Sequence, residues 1–190
     1  MYDNALYFSA FAEQKSTILK SLDIKPEEYV LATIHRDFNT DRPERISNIF
    51  KAISAIADNC NIPVVLPLHP RTRKYLPDCF SDRITIIPPA SFYDILTLEK
   101  NAKIVITDSG GVQKEAFFFG KPSIILRRET EWVEIIEHNA GILADADFDT
   151  IVEAYETLSG HAVDFPPLFG DGHAAQKALQ SIIQYIENEG

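Results

Sequence analysis

Apolar residues along the chain form short continuous runs that alternate with longer stretches of helical spacing. Between the runs, apolar positions recur every three to four residues, as in Ile46, Ile49, Ile53 and Ile56, which indicates amphipathic helices. Continuous apolar strands separated by helices are typical of a parallel sheet that is covered on both faces. The predicted fold class is therefore α/β, a doubly wound, Rossmann-like parallel sheet. The strand-length runs are residues 29–34, 63–68, 84–87, 103–107, 123–126 and 141–143.

Two further segments flank the predicted sheet. An apolar stripe from about Tyr2 to Leu22 predicts a helix before the first strand, and a turn-rich link followed by apolar residues at helical spacing predicts a last helix. A minimal α/β unit needs neither helix, and we expect the last one to cover the sheet or to cross to a partner domain. The predicted parts are an N-terminal helix and linker at 1–24, a Rossmann-like domain at 25–163, and a linker and crossing helix at 164–190.

A glycine turn between the fourth run and the next helix is the main candidate for a binding site. Ser109 and the glycines Gly110 and Gly111 stand between the apolar run 104–106 and the helical pattern from Val112. Glycines allow a ligand to approach the backbone closely, and the first N–H groups of a helix favour an anion. Glu115 lies one turn into that helix, where a carboxylate accepts hydrogen bonds from the two hydroxyls of a ribose. The pattern fits a nucleotide as well as an ordinary capped strand-to-helix turn.

Composition and charge narrow the classes of ligand and environment. The 190 residues suit one domain, and the net charge of −10 argues against nucleic acid and anionic membrane as partners. Basic residues such as His35, Arg36 and His69 nevertheless fall where predicted strands end, which favours a small anionic ligand. Cys60 and Cys79 lack metal-ligand spacing, no metal site is predicted, and the N-terminus lacks a signal-peptide layout. We therefore expect a cytoplasmic protein.

Several motifs occur together in a fixed order and cover nearly the whole chain. The set resembles the non-hydrolysing UDP-N-acetylglucosamine 2-epimerases, and Asp-Ser-Gly-Gly followed by Gln-x-Glu-Ala is its most specific part. The motifs are Thr33-Ile-His-Arg36, Leu68-His-Pro70, Thr107-Asp-Ser-Gly-Gly-Val-Gln-Lys-Glu-Ala116, Gly120-Lys-Pro122, Arg-Arg-Glu-Thr-Glu-Trp-Val-Glu at 127–134, and Gly170-Asp-Gly-His-Ala174.

The resemblance implies a GT-B-type enzyme of two Rossmann-like domains with the UDP-sugar between them. This chain would be the C-terminal domain, and the full-length protein would form a homodimer through its N-terminal domain. The family eliminates UDP to give a glycal and then returns it to the other face, without a cofactor, as an isomerase of cell-surface polysaccharide biosynthesis. The acids that move the C2 proton would lie in the missing N-terminal domain, so we expect the isolated chain to be inactive.

The resemblance also implies roles for individual residues. Ser109, Gly110 and Gly111 would bind the diphosphate and Glu115 the ribose, while His35 would be the catalytic group beside the departing UDP. Ala90 and Ile95 would flank the uracil. Arg36 and His69 match positions that contact a second, regulatory UDP-sugar in some bacterial members. Two departures, Phe38 in place of a frequent Glu and Trp132 in place of a frequent Arg, leave the sugar open between UDP-N-acetylglucosamine and a related UDP-2-acetamido sugar.

Two other functions use the same pattern. A UDP-sugar-binding domain of a GT-B glycosyltransferase would have the same fold and the same diphosphate site, and only upstream sequence would separate it from an epimerase. A non-catalytic, receiver-like module would need an acidic cluster and a lysine at the strand ends. The strand ends carry His, Arg, Ser and Gly instead.

Overall fold

The computed structural model describes residues 1–189 and contains a six-stranded sheet whose paired strands are all parallel. The strands are β1 Val30–Thr33, β2 Val64–Pro67, β3 Ile84–Ile87, β4 Ile104–Thr107, β5 Ser123–Ile125 and β6 Gly141–Leu143. Their spatial order is β3-β2-β1-β4-β5-β6. The order reverses between β1 and β4, as in doubly wound sheets that bind ligands at the carboxyl end of that junction. The predicted fold class is confirmed.

Helices connect and cover the strands. Those of the described residues are α1 Tyr2–Lys15, α2 Ile18–Ser21, α3 Asp37–Thr40, α4 Pro43–Asn59, α5 Pro70–Arg73, α6 Phe92–Asn101, α7 Gly110–Phe118, α8 Val133–Glu137, α9 Phe148–Gly160 and α10 Ala174–Glu189. None of the helices within residues 1–189 is long and apolar enough to cross a membrane.

The strand residues alternate between two apolar cores. Val30 and Ala32 of β1 join the core on the face covered by α4 and α9, whereas Tyr29 and Leu31 join the core on the opposite face with Leu98 of α6. Successive side chains of a strand point to opposite faces, so a strand covered on both sides must be apolar at every position. All four residues of β1 and of β4 are buried, which explains the continuous apolar runs of the sequence.

The N-terminal segment differs from its prediction in one respect. The apolar stripe predicted one helix to about Leu22, but the structure breaks it between α1 and α2. At the break, the Ser16 hydroxyl donates to Asp94 of α6 at 2.6 Å and accepts from the Ile18 amide at 3.3 Å. The prediction of a single continuous helix was wrong, because this hydroxyl bonds to a distant element and to its own backbone.

The C-terminal helix α10 exposes its apolar side. Leu179, Ile182 and Ile186 are all more than half exposed, although they lie at helical spacing. A hydrogen bond from the Ala175 amide to Asp3 connects the start of α10 to α1. The predicted segment 164–190 includes Gly190, which lies outside the described residues, and its crossing to another domain stays a prediction.

Candidate functional site

The carboxyl ends of β1 and β4 form the centre of the site. The two strands pair in register, Thr33 opposite Thr107, and their hydroxyls share a hydrogen bond of 2.6 Å. Because parallel strands end at the same edge, the segments that follow them emerge side by side. His35 and Arg36 follow β1, and Asp108 and Ser109 follow β4.

Asp108 holds the two segments together. Its carboxylate is fully buried and accepts hydrogen bonds from the His35 amide at 3.1 Å and the Arg36 amide at 3.0 Å. The Asn39 side-chain amide donates to it at 3.2 Å and also to the Leu126 carbonyl at 2.9 Å. From the sequence, Asp108 is a turn or cap residue. The structure instead gives it a long-range role between β1 and β4, which only the pairing of these strands reveals.

His35 is the candidate catalytic group, and Asp108 orients its ring. Its Nδ1 lies 3.3 Å from Oδ1 of Asp108, and the imidazole is about one third exposed. A carboxylate only accepts, so this contact favours a hydrogen on Nδ1. The ring centroid of His69 lies 5.9 Å from that of His35. The two predicted histidines therefore stand at the same edge of the sheet.

The start of α7 has the features of an anion site. Ser109 is its N-cap, and the Ser109 hydroxyl accepts from the Val112 amide at 3.5 Å. The amides of Gly110 and Gly111 have no hydrogen-bond acceptor among residues 1–189. A Cβ at Gly111 would meet only the Ser109 hydroxyl, at 3.8 Å, so the space beside this glycine is open. Two free amides at a helix N-terminus bind a phosphate group well.

Residues 127–132, here called the 127–132 loop, lie against the start of α7. The Trp132 indole donates to the Gly110 carbonyl at 2.7 Å, and the Thr130 hydroxyl donates to the Gln113 side chain at 2.6 Å. A Cβ at Gly110 would collide with the Glu131 carboxylate, so any other residue here requires the Glu131 side chain to move. The sequence marks Trp132 only as a departure from the family pattern and does not predict its bond to the glycine turn.

Glu115, the predicted ribose ligand, is half-buried on α7 and has an acidic neighbour. Glu99 of α6 is 1% exposed. Burial, together with the nearby Glu115 charge, raises the pKa of Glu99 well above its ordinary value. Burial also raises the pKa of Glu115, and the positive N-terminus opposes that shift. The sequence gives no reason to single out Glu99, because the same helix also carries Asp94 and Lys100.

A family model described as UDP-N-acetylglucosamine 2-epimerase matches residues 1–183 of this chain. The chain belongs to the UDP-N-acetylglucosamine 2-epimerase family. The resemblance read from the ordered motifs is therefore confirmed. The family assignment favours an epimerase over the glycosyltransferase alternative.

The curated relatives and solved structures of the family are about twice as long as this chain. A Pseudomonas aeruginosa protein named UDP-2,3-diacetamido-2,3-dideoxy-D-glucuronate 2-epimerase is 41% identical over 182 residues, which cover 95% of this chain and 50% of that protein. The Methanocaldococcus jannaschii UDP-GlcNAc 2-epimerase, solved in complex with UDP-GlcNAc and UDP, has a TM-score of 0.83 and 31% identity. That match covers 97% of this chain and 52% of the other.

A second solved enzyme of the family has the same fold as this chain. The Neisseria meningitidis UDP-GlcNAc 2-epimerase bound to UDP-GlcNAc matches with a TM-score of 0.78 and 26% identity, over 96% of this chain and 53% of that one. The chain thus has the fold of one Rossmann-like half of these GT-B-type enzymes.

The remaining predicted site residues of this epimerase-family chain lie on two sides of the glycine turn. Ala90 and Ile95 are partly buried and pack, with Val112 of α7, against the core cluster that contains Leu98. They provide an apolar surface beside the turn, as a base requires. Arg36 is exposed on the other side, beyond the amide that Asp108 holds. The roles of all these residues stay predictions.

Proposed function

We propose that this chain is the UDP-binding half of an enzyme that epimerises a UDP-2-acetamido sugar at C2, such as UDP-N-acetylglucosamine to UDP-N-acetylmannosamine. The observation that carries the proposal is the pair of amides at Gly110 and Gly111, free within the described residues, next to the His35–Asp108 pair. Family membership and solved relatives with UDP and UDP-GlcNAc support the same ligand.

In the proposed complex, the diphosphate binds at Ser109, Gly110 and Gly111. Elimination removes the C2 proton and breaks the bond between C1 and the β-phosphate oxygen, which leaves a glycal and UDP. Negative charge grows on the β-phosphate as this bond breaks, and fixed N–H dipoles stabilise that charge most effectively. In its imidazolium form, His35 donates a hydrogen bond to the same phosphate. Return of UDP to C1 and of a proton to the other face of C2 completes the epimerisation.

The same proposal assigns the nucleoside to the α6–α7 side of the turn. Glu115 accepts from the ribose hydroxyls, and Ala90 and Ile95 flank the uracil. We assign Arg36 and His69, on the β1–β2 side, to a second, regulatory UDP-sugar. This arrangement orders the ligand along the sheet edge from base to sugar.

The proton-transfer acids are assigned to an N-terminal domain, so this half alone is inactive. The exposed apolar side of α10 supports such a partner, because Leu179, Ile182 and Ile186 are otherwise left in water. Residues 164–190 would cross to that domain, 1–24 would lead in from it, and 25–163 would bind the nucleotide. We further propose a homodimer of the full-length enzyme, located in the cytoplasm and serving cell-surface polysaccharide synthesis.

Calorimetric titration of the chain with UDP tests the proposed site, with Gly111→Val as the disrupting variant. A Cβ at Gly111 meets no atom closer than 3.8 Å, so the fold tolerates it while the side chain fills the space beside the free amides. We expect UDP to bind the wild type and to bind Gly111→Val at least ~10-fold more weakly, which corresponds to about 1.4 kcal/mol.

Gly160→Val is the matched control, because a Cβ at Gly160 at the end of α9 meets nothing within 4 Å and the residue is exposed. It should bind UDP as the wild type does. Absence of UDP binding at millimolar concentration, or equal affinity in both glycine variants, would contradict the proposed site.

A further inference from the structure

A cavity rich in arginine lies next to the proposed diphosphate site. It has a volume of about 400 Å³ and is formed by the start of α4, residues from the end of β5, and Asp145 after β6. We call it the arginine pocket; it is lined by Phe38, Arg42, Arg45, Arg127, Arg128, Glu129 and Asp145.

The charges of the arginine pocket do not balance. Four guanidinium groups and two carboxylates line it, and Glu131, just outside, pairs with Arg127, which leaves an excess of one positive charge. Asp145 is shared by two of the arginines: it is bound by Nη1 of Arg45 at 3.0 Å and by Nε of Arg128 at 3.2 Å. The hydrogen bond from Arg45, more than any other contact, lowers the pKa of Asp145, so its charge is already committed to these two partners. Within residues 1–189, Arg42 forms no ion pair.

The arginine framework is rigid on the side of α4. Nε and Nη2 of Arg45 donate to the Asn39 side chain at 3.1 and 2.9 Å, and Asn39 in turn donates to Asp108. This network ties the pocket to the carboxylate that orients His35. A ligand group in the pocket is therefore held at a fixed position relative to the catalytic edge.

Arg127 joins the pocket to the glycine turn. Its Nη1 lies 3.4 Å from the position of a Cβ on Gly110. That nitrogen is buried and lies 2.7 Å from the Glu131 carboxylate, yet no acceptor among the described residues is aligned with its N–H groups. A sugar attached to a phosphate at Gly110 would therefore start beside Arg127, and its far end comes within reach of the pocket.

Phe38 of α3 keeps this positive charge unneutralised. Its ring centroid lies 6.0 Å from the Arg45 guanidinium carbon, so an apolar surface faces the arginines at this point. A carboxylate at position 38 would occupy the same space and compete for the guanidinium groups. The pocket as it stands offers forked N–H donors to an anion that comes from the ligand.

We propose that the arginine pocket binds the carboxylate of a hexuronate, so that the substrate class is an acidic UDP-sugar; this rests on the proposed UDP site. The pocket then sets specificity, because a neutral sugar leaves Arg42 without an anion to pair with it. The carboxylate takes no part in bond breaking and only positions the ring relative to His35.

The test compares two ligands that differ only at C6, UDP-N-acetylglucosamine and its C6 carboxylate, UDP-N-acetylglucosaminuronate, with UDP as reference. Calorimetry on the 190-residue chain should show the acid bound ~10-fold more tightly than the neutral sugar, as expected for one charge-assisted pair. Arg42→Gln and Phe38→Glu should each reduce this ratio to about one.

Arg83→Gln is the matched control: it removes the same charge from an exposed residue just before β3, at the opposite end of the sheet. It should keep the tenfold ratio. UDP binding without a preference for the acid, or a preference that survives Arg42→Gln and Phe38→Glu, overturns the arginine pocket alone. No binding of UDP itself overturns the proposed function and, with it, this inference.

Discussion

The Asp108 carboxylate gives the sharpest test of how the site is held together, through the substitution Asp108→Asn. Its Oδ2 accepts from the Arg36 amide and from Asn39, while Oδ1 faces Nδ1 of His35. Asparagine keeps the shape of the side chain and one acceptor oxygen. The NH2 group of the asparagine, however, must face N–H groups that now donate to the carboxylate, either those of the backbone and Asn39 or that of the His35 ring.

The magnitude follows from these contacts. Hydrogen bonds to a charged acceptor contribute about 1.5–3 kcal/mol each, and neutral ones about 0.5–1.5 kcal/mol. With asparagine, the hydrogen bonds at Oδ2 have a neutral acceptor and are therefore weaker. The contact with His35 Nδ1 is lost, and one buried donor is left without an acceptor. We expect the free energy of unfolding to fall by about 2–4 kcal/mol.

Urea denaturation of the wild type and of Asp108→Asn measures this difference, provided that the slope of the transition is unchanged. Asp37→Asn is the matched control, since Asp37 lies in the same region but is exposed, and its side chain accepts a hydrogen bond from the next amide, that of Phe38. It should change stability by less than about 0.5 kcal/mol. If both variants unfold at the same urea concentration, the hydrogen bonds of Asp108 between β1 and β4 do not contribute to the free energy of unfolding.

Two further predictions concern single carboxyl groups. In the unfolded chain Glu99 ionises near 4.5, whereas its raised native pKa keeps it protonated, so the native state loses stability as pH rises above that value. Glu99→Gln removes this loss, and its gain over the wild type in thermal unfolding should grow as pH rises above 4.5; a constant difference would contradict it. Asp147→Ala removes the N-cap bond to Thr150 at the start of α9 and should cost about 1 kcal/mol in urea, whereas Asp149→Ala, in the same turn, should cost less.

Elements whose signal is local could be predicted from the sequence. The strand β3 has the predicted extent, because it is bounded by polar residues and prolines, and the apolar positions Ile46, Ile49, Ile53 and Ile56 all lie in the helix α4. Family motifs likewise placed His35, His69 and the glycine turn at one edge. These positions depend on short stretches of chain that carry their own pattern.

Features that depend on distant partners could not be predicted. Asp108 reads as a cap until β4 is known to lie beside β1, and Glu99 reads as a surface residue until α6 is packed against the sheet. The break at Ser16 depends on Asp94, 78 residues away. The arginine pocket gathers side chains from three separate segments, and only Arg127, Arg128 and Glu129 are neighbours in sequence. No local pattern specifies such encounters.

The missing side chain at Gly110 has a consequence for any mutational study of this protein. The space that a side chain at position 110 would fill is bordered by Glu131 and Arg127, and the proposed diphosphate site lies at the same residue. A replacement at position 110 would therefore move the Glu131 side chain away from Arg127 as well as alter the proposed nucleotide site, so a loss of binding could not be assigned to either change alone. Gly111, which borders only open space, is where recognition can be altered while the scaffold stays intact.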